Sequence, residues 1–143
     1  MKNGVHVGFG IWDFEDISHD EITKELKVNP SKIYIKGENK NPKFNQVSKS
    51  NGWIIESPLD IYSSFDEQLN ALLSIMLNNK DAFQSVCKRY YCEISVAIYM
   101  YFDNGESAPS LYLTKEQINR MDQFNVEVDF DLYCLPNSVD TNF

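Results

Sequence analysis

The chain has few of the residues that build catalytic or metal sites, with 3 cysteines and 2 histidines among 143 residues. Cys87, Cys92 and Cys134 are odd in number and form no C-x-x-C pair, which favours reduced thiols in a reducing compartment. His6 and His19 stand in no recognisable Ser-His-Asp or Cys-His pattern. We therefore expect no catalytic residue, no metal and no cofactor. The protein is expected to bind a partner rather than to act as an enzyme.

Long apolar runs and glycine-rich loops are also missing. No stretch is long enough to span a bilayer, and residues 1–5 lack the apolar core of a signal peptide. The 6 glycines fit neither a phosphate-binding loop nor a dinucleotide fingerprint. These absences predict a cytoplasmic protein with no membrane partner.

Basic residues are in the minority, with 13 Lys and Arg against 21 Asp and Glu, a net charge of −8 and a pI near 4.7. Because an acidic surface repels a phosphate backbone, we expect no nucleic-acid partner. The charge favours a basic protein partner, or it simply keeps the protein in solution.

The apolar pattern predicts one α+β domain over residues 1–135 and a polar tail over residues 136–143. Alternating apolar residues predict strands, and capping boxes predict helix starts at Ser18, Ser64 and Thr114. The predicted order is β-α-β-β-α-β-α-β. Each strand has one apolar face, which predicts a mostly antiparallel sheet with helices on one face, related to the ferredoxin-like plan.

Two segments between these elements carry further predictions. Asn51-Gly52 is typical of a tight turn with positive φ, and the next residue, Trp53, is expected in the core rather than at a ligand. Residues 37–50 are polar and rich in Asn and Lys, which predicts a long loop.

Cys92 and Cys134 fall in the apolar phase of their strands and are expected to be small core residues.

The opposite phase of the strands is the candidate binding surface, because it groups aromatic and acidic side chains. The candidate residues are Trp12, Tyr34, Tyr99, Tyr101, Glu127, Asp129, Asp131 and Tyr133. A sheet face rich in tyrosine is typical of a contact surface, and ordinary cross-strand pairing on a wet face is the alternative. Gly8 and Gly10 share this phase, where either a close approach or a bulge is expected.

The three acids of the last predicted strand allow two interpretations. Glu127, Asp129 and Asp131 repeat every second residue, and Glu93 has the same phase on another strand. Clustered carboxylates can bind a hard cation or raise a pKa for acid–base chemistry. A solvated sheet face has the same pattern, and the sequence lacks a calcium-binding loop.

At the level of family, the chain resembles the bacterial domain of unknown function family 4279. Four segments carry the likeness: Phe9-Gly10-Ile11 to Leu26, Asn29-Pro30 to Lys36-Gly37-Glu38, Asn51-Gly52-Trp53 with Glu56-Ser57, and Leu69 to Leu77 with Leu113 to Tyr133. Residues 39–50 match no pattern of the family. The family is similar to others found beside bacterial toxin genes, so the resemblance implies an immunity protein that binds a toxin. It carries over no catalytic residue.

The expected function is therefore non-enzymatic binding of another protein, with a toxin as the implied partner. Two alternatives stay open at this stage. The outward sheet face would serve a small enzyme or ligand-binding domain, or it would pair with a second copy in a self-associating structural module.

Overall fold

The computed structural model describes residues 1–41 and 43–137, with backbone alone at residues 40 and 41. The strands are β1 (Gly4–Trp12), β2 (Lys32–Tyr34), β3 (Asn39–Asn41), β4 (Gln46–Val47), β5 (Gly52–Glu56), β6 (Tyr91–Tyr101) and β7 (Glu127–Leu135). The helices are α1 (His19–Leu26), α2 (Phe65–Asn78), α3 (Lys80–Arg89) and α4 (Lys115–Asp122).

Five of these strands form one sheet in the order β2-β5-β1-β6-β7. Neighbouring strands are antiparallel except β6 and β7, which are parallel. The predicted α+β class with a mostly antiparallel sheet is thus confirmed, whereas the ferredoxin-like order is not. β3 and β4 pair separately, so the segment predicted as a loop contains a small hairpin.

Three of the four described helices begin at a capping box. The side chains of Ser18, Ser64 and Thr114 each accept a hydrogen bond from the backbone N–H three residues later. Asn79 separates α2 from α3, and its Nδ2 donates to the carbonyl of Leu26 at 2.9 Å. Asn79 therefore satisfies a carbonyl at the end of α1 that has no partner within its own helix.

Residues from all four helices pack in one core cluster against the same face of the sheet. Trp53 is fully buried there, and its Nε1 donates to Thr23 Oγ1 of α1 at 3.0 Å. The prediction that Trp53 is a core residue is confirmed. A buried indole N–H needs such a partner, so this bond fixes α1 against β5.

One buried side chain continues the sheet where β5 ends. Gln68 of α2 is fully buried, accepts from the N–H of Val7 at 3.3 Å and donates to the carbonyl of Val5 at 2.6 Å. These two backbone groups of β1 lie beyond the last residue that pairs with β5. An amide side chain thus replaces a strand there, because buried backbone groups must be hydrogen-bonded.

The final strand departs from its sequence prediction. Its apolar phase lies on the helical side, yet Phe130 is 45% exposed, Leu132 is 60% exposed and Cys134 is also exposed. The prediction that Cys134 is a core residue is wrong. β7 is an edge strand, and α4 packs against α2 through Gln117, whose Nε2 donates to Asp66 Oδ1 at 2.8 Å. The apolar side of β7 is therefore covered only in part, by the core at Val128 and by Phe65 of α2 at Phe130.

Two other predictions concern turns and termini. Gly52 is the first residue of β5 and is not among the residues with positive φ, so the tight turn predicted at Asn51-Gly52 is wrong. The single domain over 1–135 stays a prediction. Of the predicted polar tail over 136–143, residues 138–143 lie outside the described residues.

Candidate functional site

The open face is the side of the five-stranded sheet that points away from the helices. Strand register places on it the even-numbered residues of β1, β2 and β5 and the odd-numbered residues of β6 and β7. All eight candidates lie on this face: Trp12, Tyr34, Tyr99, Tyr101, Glu127, Asp129, Asp131 and Tyr133. The alternation in the sequence therefore identified one continuous surface built from four strands.

One aromatic pair lies at the end of β1. The rings of Trp12 and Tyr34 stack with centroids 5.6 Å apart and planes 19° apart. A Cβ placed on Gly52 would lie 2.5 Å from Trp12 Cζ3, and one on Gly10 would lie 2.7 Å from Trp12 Nε1. The indole thus lies flat over two glycines, and the close approach expected at Gly10 comes from the chain's own tryptophan.

A second aromatic pair lies near the start of β1. Tyr99 and Tyr133 are opposite each other on β6 and β7, with ring centroids 5.2 Å apart and planes 12° apart. Gly4 is the β1 neighbour of Tyr99, and Trp12 lies eight residues further along β1. At roughly 3.3 Å per residue the two aromatic pairs are about 26 Å apart along the sheet.

Carboxylates lie between the aromatic pairs, on β6 and β7. Glu93 is directly opposite Glu127, and the hydroxyl of Tyr91 lies 2.9 Å from Glu93 Oε2 and 3.0 Å from Glu127 Oε2. The hydrogen bond to Glu93, with that to Glu127, raises the pKa of the Tyr91 phenol above its ordinary value. Losing that proton would place a third negative charge beside two carboxylates.

We call Glu93, Glu127, Asp129 and Asp131 the acidic row. Within residues 1–41 and 43–137, none of the four forms an ion pair with Lys, Arg or His. The three members on β7 are exposed to solvent. The row is therefore a strip of negative charge that the described chain leaves without a cation.

Charged groups on the other half of the open face are paired. Glu56 of β5 lies 3.4 Å from His6 Nε2 through Oε2 and 3.3 Å from Lys32 Nζ through Oε1. His6 therefore meets an acid on its own face of the sheet. The face thus divides into a paired half on β2, β5 and β1 and an acidic half on β6 and β7.

Two shallow depressions follow β1 across this face, and His6 lines both. The larger is about 360 Å³ and is lined by Met1, Lys2, Gly4, His6, Ile61, Tyr62, Tyr99 and Tyr101. The smaller is about 150 Å³ and lies between His6 and the Trp12–Tyr34 pair. The larger volume is at the lower end of the range for small-molecule sites.

The sequence pattern did not identify some residues of this face as candidates. Tyr91 precedes the buried Cys92, so the alternation of β6 contained the signal that it points outward. Ile61 and Tyr62 lie in an irregular segment after β5, where no periodicity indicates direction. Only the folded chain places that segment beside Tyr99 and Tyr101.

Among the described residues, the thiols and acids form no recognisable catalytic or metal centre. Cys87 and Cys92 are buried, and a hydrogen bond with Cys87 together with burial raises the pKa of the Cys92 thiol, which disfavours the nucleophilic thiolate. In the part of the chain that the structure describes, no three His, Cys, Asp or Glu side chains converge as metal ligands. Nor is any described helix long and apolar enough to cross a bilayer.

Comparison with known proteins identifies a match to a family model. No curated protein and no solved structure matches the chain significantly. The family model described as Domain of unknown function (DUF4279) matches residues 3–135, which include the seven strands and four helices of the described residues. The matched segment covers most of the chain, so the protein belongs to the DUF4279 family.

Proposed function

We propose that the protein binds a basic protein partner through the open face of its sheet and performs no chemistry there. The observation that carries this proposal is the composition of a helix-free face, which has a stacked aromatic pair near each end and the acidic row between them. Each of these two features contributes a separate argument.

The aromatic pairs supply contact area that is already ordered. Tyr99 and Tyr133 hold each other by stacking, so little side-chain freedom remains to be lost when a partner docks on them. Tyr133 is 44% exposed and therefore still has surface to bury. Tyrosine and tryptophan are enriched among residues that dominate binding energy, which favours these pairs as anchors.

The acidic row favours a partner whose surface is positively charged. Four carboxylates without a described cation repel one another, and Lys or Arg from a partner would relieve that repulsion. The net charge of −8 extends the same field over the molecule and would speed the encounter with a basic surface.

The specific form of the proposal is an immunity-type protein that binds a bacterial toxin in the cytoplasm. We infer a toxin as the partner from the family resemblance, and the acidic row is consistent with a toxin that has a basic surface. The three cysteines, all within described residues, form no disulfide, which is consistent with a reducing compartment.

The test uses the full chain and a partner purified after capture. Protein immobilised at low salt is exposed to lysate of the source cells and to the product of any neighbouring toxin gene, and binding of each recovered protein is remeasured by calorimetry. The variant Tyr99→Ser/Tyr133→Ser should lose at least about 2 kcal/mol of binding energy, the level of a typical hot spot. Affinity should also fall as salt rises.

Tyr112→Ser is the matched control, because Tyr112 is 69% exposed but lies outside the sheet. A partner that binds the double variant and the control equally well would place the binding surface elsewhere. A stable dimer of the purified protein, broken by the same double variant, would instead support the self-associating module.

The larger depression favours a second candidate, a small enzyme or ligand-binding domain. Its volume of about 360 Å³ and its lining of His6 with three tyrosines would suit a small molecule with an aromatic or polar ring. Native mass spectrometry of the purified protein would detect a retained ligand. Loss of that ligand in His6→Ala, with the fold intact, would favour this candidate over protein binding.

A further inference from the structure

The outer edge of β7 is long, and its backbone is open to a further strand. β7 has nine residues, lies at the end of the sheet and is mostly exposed on both of its faces. Natural edge strands are usually short, bulged, covered, charged or interrupted by proline, because an open edge pairs readily with other strands. Of these features β7 has its acidic side chains, which disfavour an acidic partner strand and not a basic one. The strand contains no proline, and its register with β6 runs without a shift from Glu127 to Leu135.

The backbone direction of β7 follows from one hydrogen bond. The carbonyl of Leu135 accepts from the N–H of Phe102 at 3.0 Å, so Leu135 directs its peptide groups toward the β6 side. Peptide groups alternate in direction along a strand, so the even-numbered residues direct theirs outward. Within the described chain, no hydrogen bond uses the outward N–H or C=O of Phe130 or Leu132.

The two faces of this edge have different chemistry. On the helical side Leu132 is exposed, and Phe130 keeps an exposed part beside Phe65 of α2, whose ring centroid lies 6.3 Å from its own. On the open face Asp129 and Asp131 are exposed and have no described ion pair. An added strand would therefore meet apolar and acidic neighbours in strict alternation.

We propose that β7 accepts an extended segment of a protein partner as a sixth strand, with alternating apolar and basic side chains. Its apolar residues would cover Phe130 and Leu132, and its Lys or Arg residues would lie beside Asp129 and Asp131. The proposal rests on the proposed function in that it takes the partner to be a protein, but it uses the strand edge rather than the aromatic pairs. Main-chain bonds provide affinity in this mode of binding, and alternate side chains provide specificity.

Charge argues against a second copy as the occupant of this edge. Antiparallel pairing of two β7 strands about Asp131 would place Asp131 opposite Asp131. Like charges directly opposite destabilise a strand pair, and both copies already carry a net charge of −8.

The test is amide hydrogen exchange of the full chain, measured by NMR with a synthetic nine-residue peptide of alternating Lys and Val. Exchange at the N–H groups of Phe130 and Leu132 should slow about tenfold when about 90% of the protein is bound, because only the free fraction then exchanges. The amides of Asp129 and Asp131 already face β6 and should change little.

Two peptides and one variant serve as controls. The first control peptide has the same composition but carries its valines in one block. The second alternates Lys and Val but is N-methylated on the amides that would face β7. Neither peptide should protect the N–H groups of Phe130 and Leu132. Asp129→Asn/Asp131→Asn should weaken protection by the original peptide. Unchanged exchange with that peptide, equal protection by the N-methylated one, or dimerisation of the protein through β7 would each overturn the proposal.

The Tyr99→Ser/Tyr133→Ser variant distinguishes the two proposals. If this variant loses partner binding while the peptide still protects its β7 amides from exchange, both the open face and the strand edge are supported. Unchanged partner binding with intact protection contradicts the open face alone, and absent protection in wild type contradicts the edge alone.

Discussion

At the scale of single residues, contacts with the Trp12 indole explain why glycine occurs at positions 10 and 52. The motif Asn51-Gly52 is typical of a turn, yet Gly52 is in a strand and its missing side chain gives room to the Trp12 indole. Gly10 serves the same ring from β1. The glycine is needed for space and not for its backbone conformation.

We expect Gly52→Ala to destabilise the protein by about 1–3 kcal/mol, the usual effect of overpacking. The added methyl would lie 2.5 Å from the indole, so the Trp12–Tyr34 stack must shift. Denaturant unfolding followed by tryptophan fluorescence measures this change. In a Trp12→Ala background the same substitution should have little effect, and an equal loss in both backgrounds would contradict the explanation.

A second residue-scale prediction concerns Trp53. We expect Trp53→Ala to lower the free energy of unfolding by about 3–5 kcal/mol, because it removes a fully buried ring. Thr23→Ala is the matched control, since it leaves the ring in place and removes the hydroxyl that accepts from the indole N–H and donates to the His19 carbonyl, at about 1–3 kcal/mol. A denaturation midpoint for Trp53→Ala equal to that of wild type would contradict the core assignment.

At the scale of elements, the start of β1 depends on a helix side chain. Gln68 bonds the backbone of Val5 and Val7 from α2. We expect Gln68→Met, which keeps the volume, to cost about 1–3 kcal/mol because buried backbone groups lose their partners. Hydrogen exchange at the N–H of Val7 should accelerate more than exchange at Phe9. Uniform acceleration along β1 would show instead a general loss of stability.

The pairing of β6 with β7 has a signature at alkaline pH. The folded pKa of Tyr91 is raised by its bonds to Glu93 and Glu127, so this contribution to stability is complete below the ordinary tyrosine pKa of 10.0 and is lost as pH rises through the folded value. Absorbance titration at alkaline pH should show a late ionisation step that comes from Tyr91. Tyr91→Phe should remove this late step, and a titration unchanged by the substitution would contradict it.

At the scale of the whole molecule, the acidic row opposes stability in the absence of a partner. Carboxylates on one face repel each other, and the described chain supplies no cation to this row. A surface kept at some cost in stability is consistent with a function in binding.

We expect Asp129→Asn/Asp131→Asn to raise the free energy of unfolding by a few tenths of a kcal/mol at low salt, as removal of like-charge pairs does. The gain should disappear in 1 M salt, where charges are screened within about 3 Å. The same variant should bind a basic partner more weakly. A double variant less stable than wild type at low salt would show that these carboxylates have a stabilising role.

The sequence was sufficient where local rules decide. Capping boxes located three helix starts, alternation placed eight candidates on one face, and the apolar phase placed Trp53 in the core. The same alternation was misleading for Cys134, because phase predicts which side of a strand is apolar but not whether another element covers that side. Cover depends on strand order and on where helices pack.

By itself the sequence determined the α+β class, the two faces of the sheet and the negative charge, because each follows from residue type and from a period of two or 3.6 residues. Only the tertiary structure decided that β7 is an edge strand, that α4 packs on α2 and that the Trp12 indole lies over Gly10 and Gly52. These depend on contacts between residues far apart in the chain. No local period encodes which distant strands become neighbours.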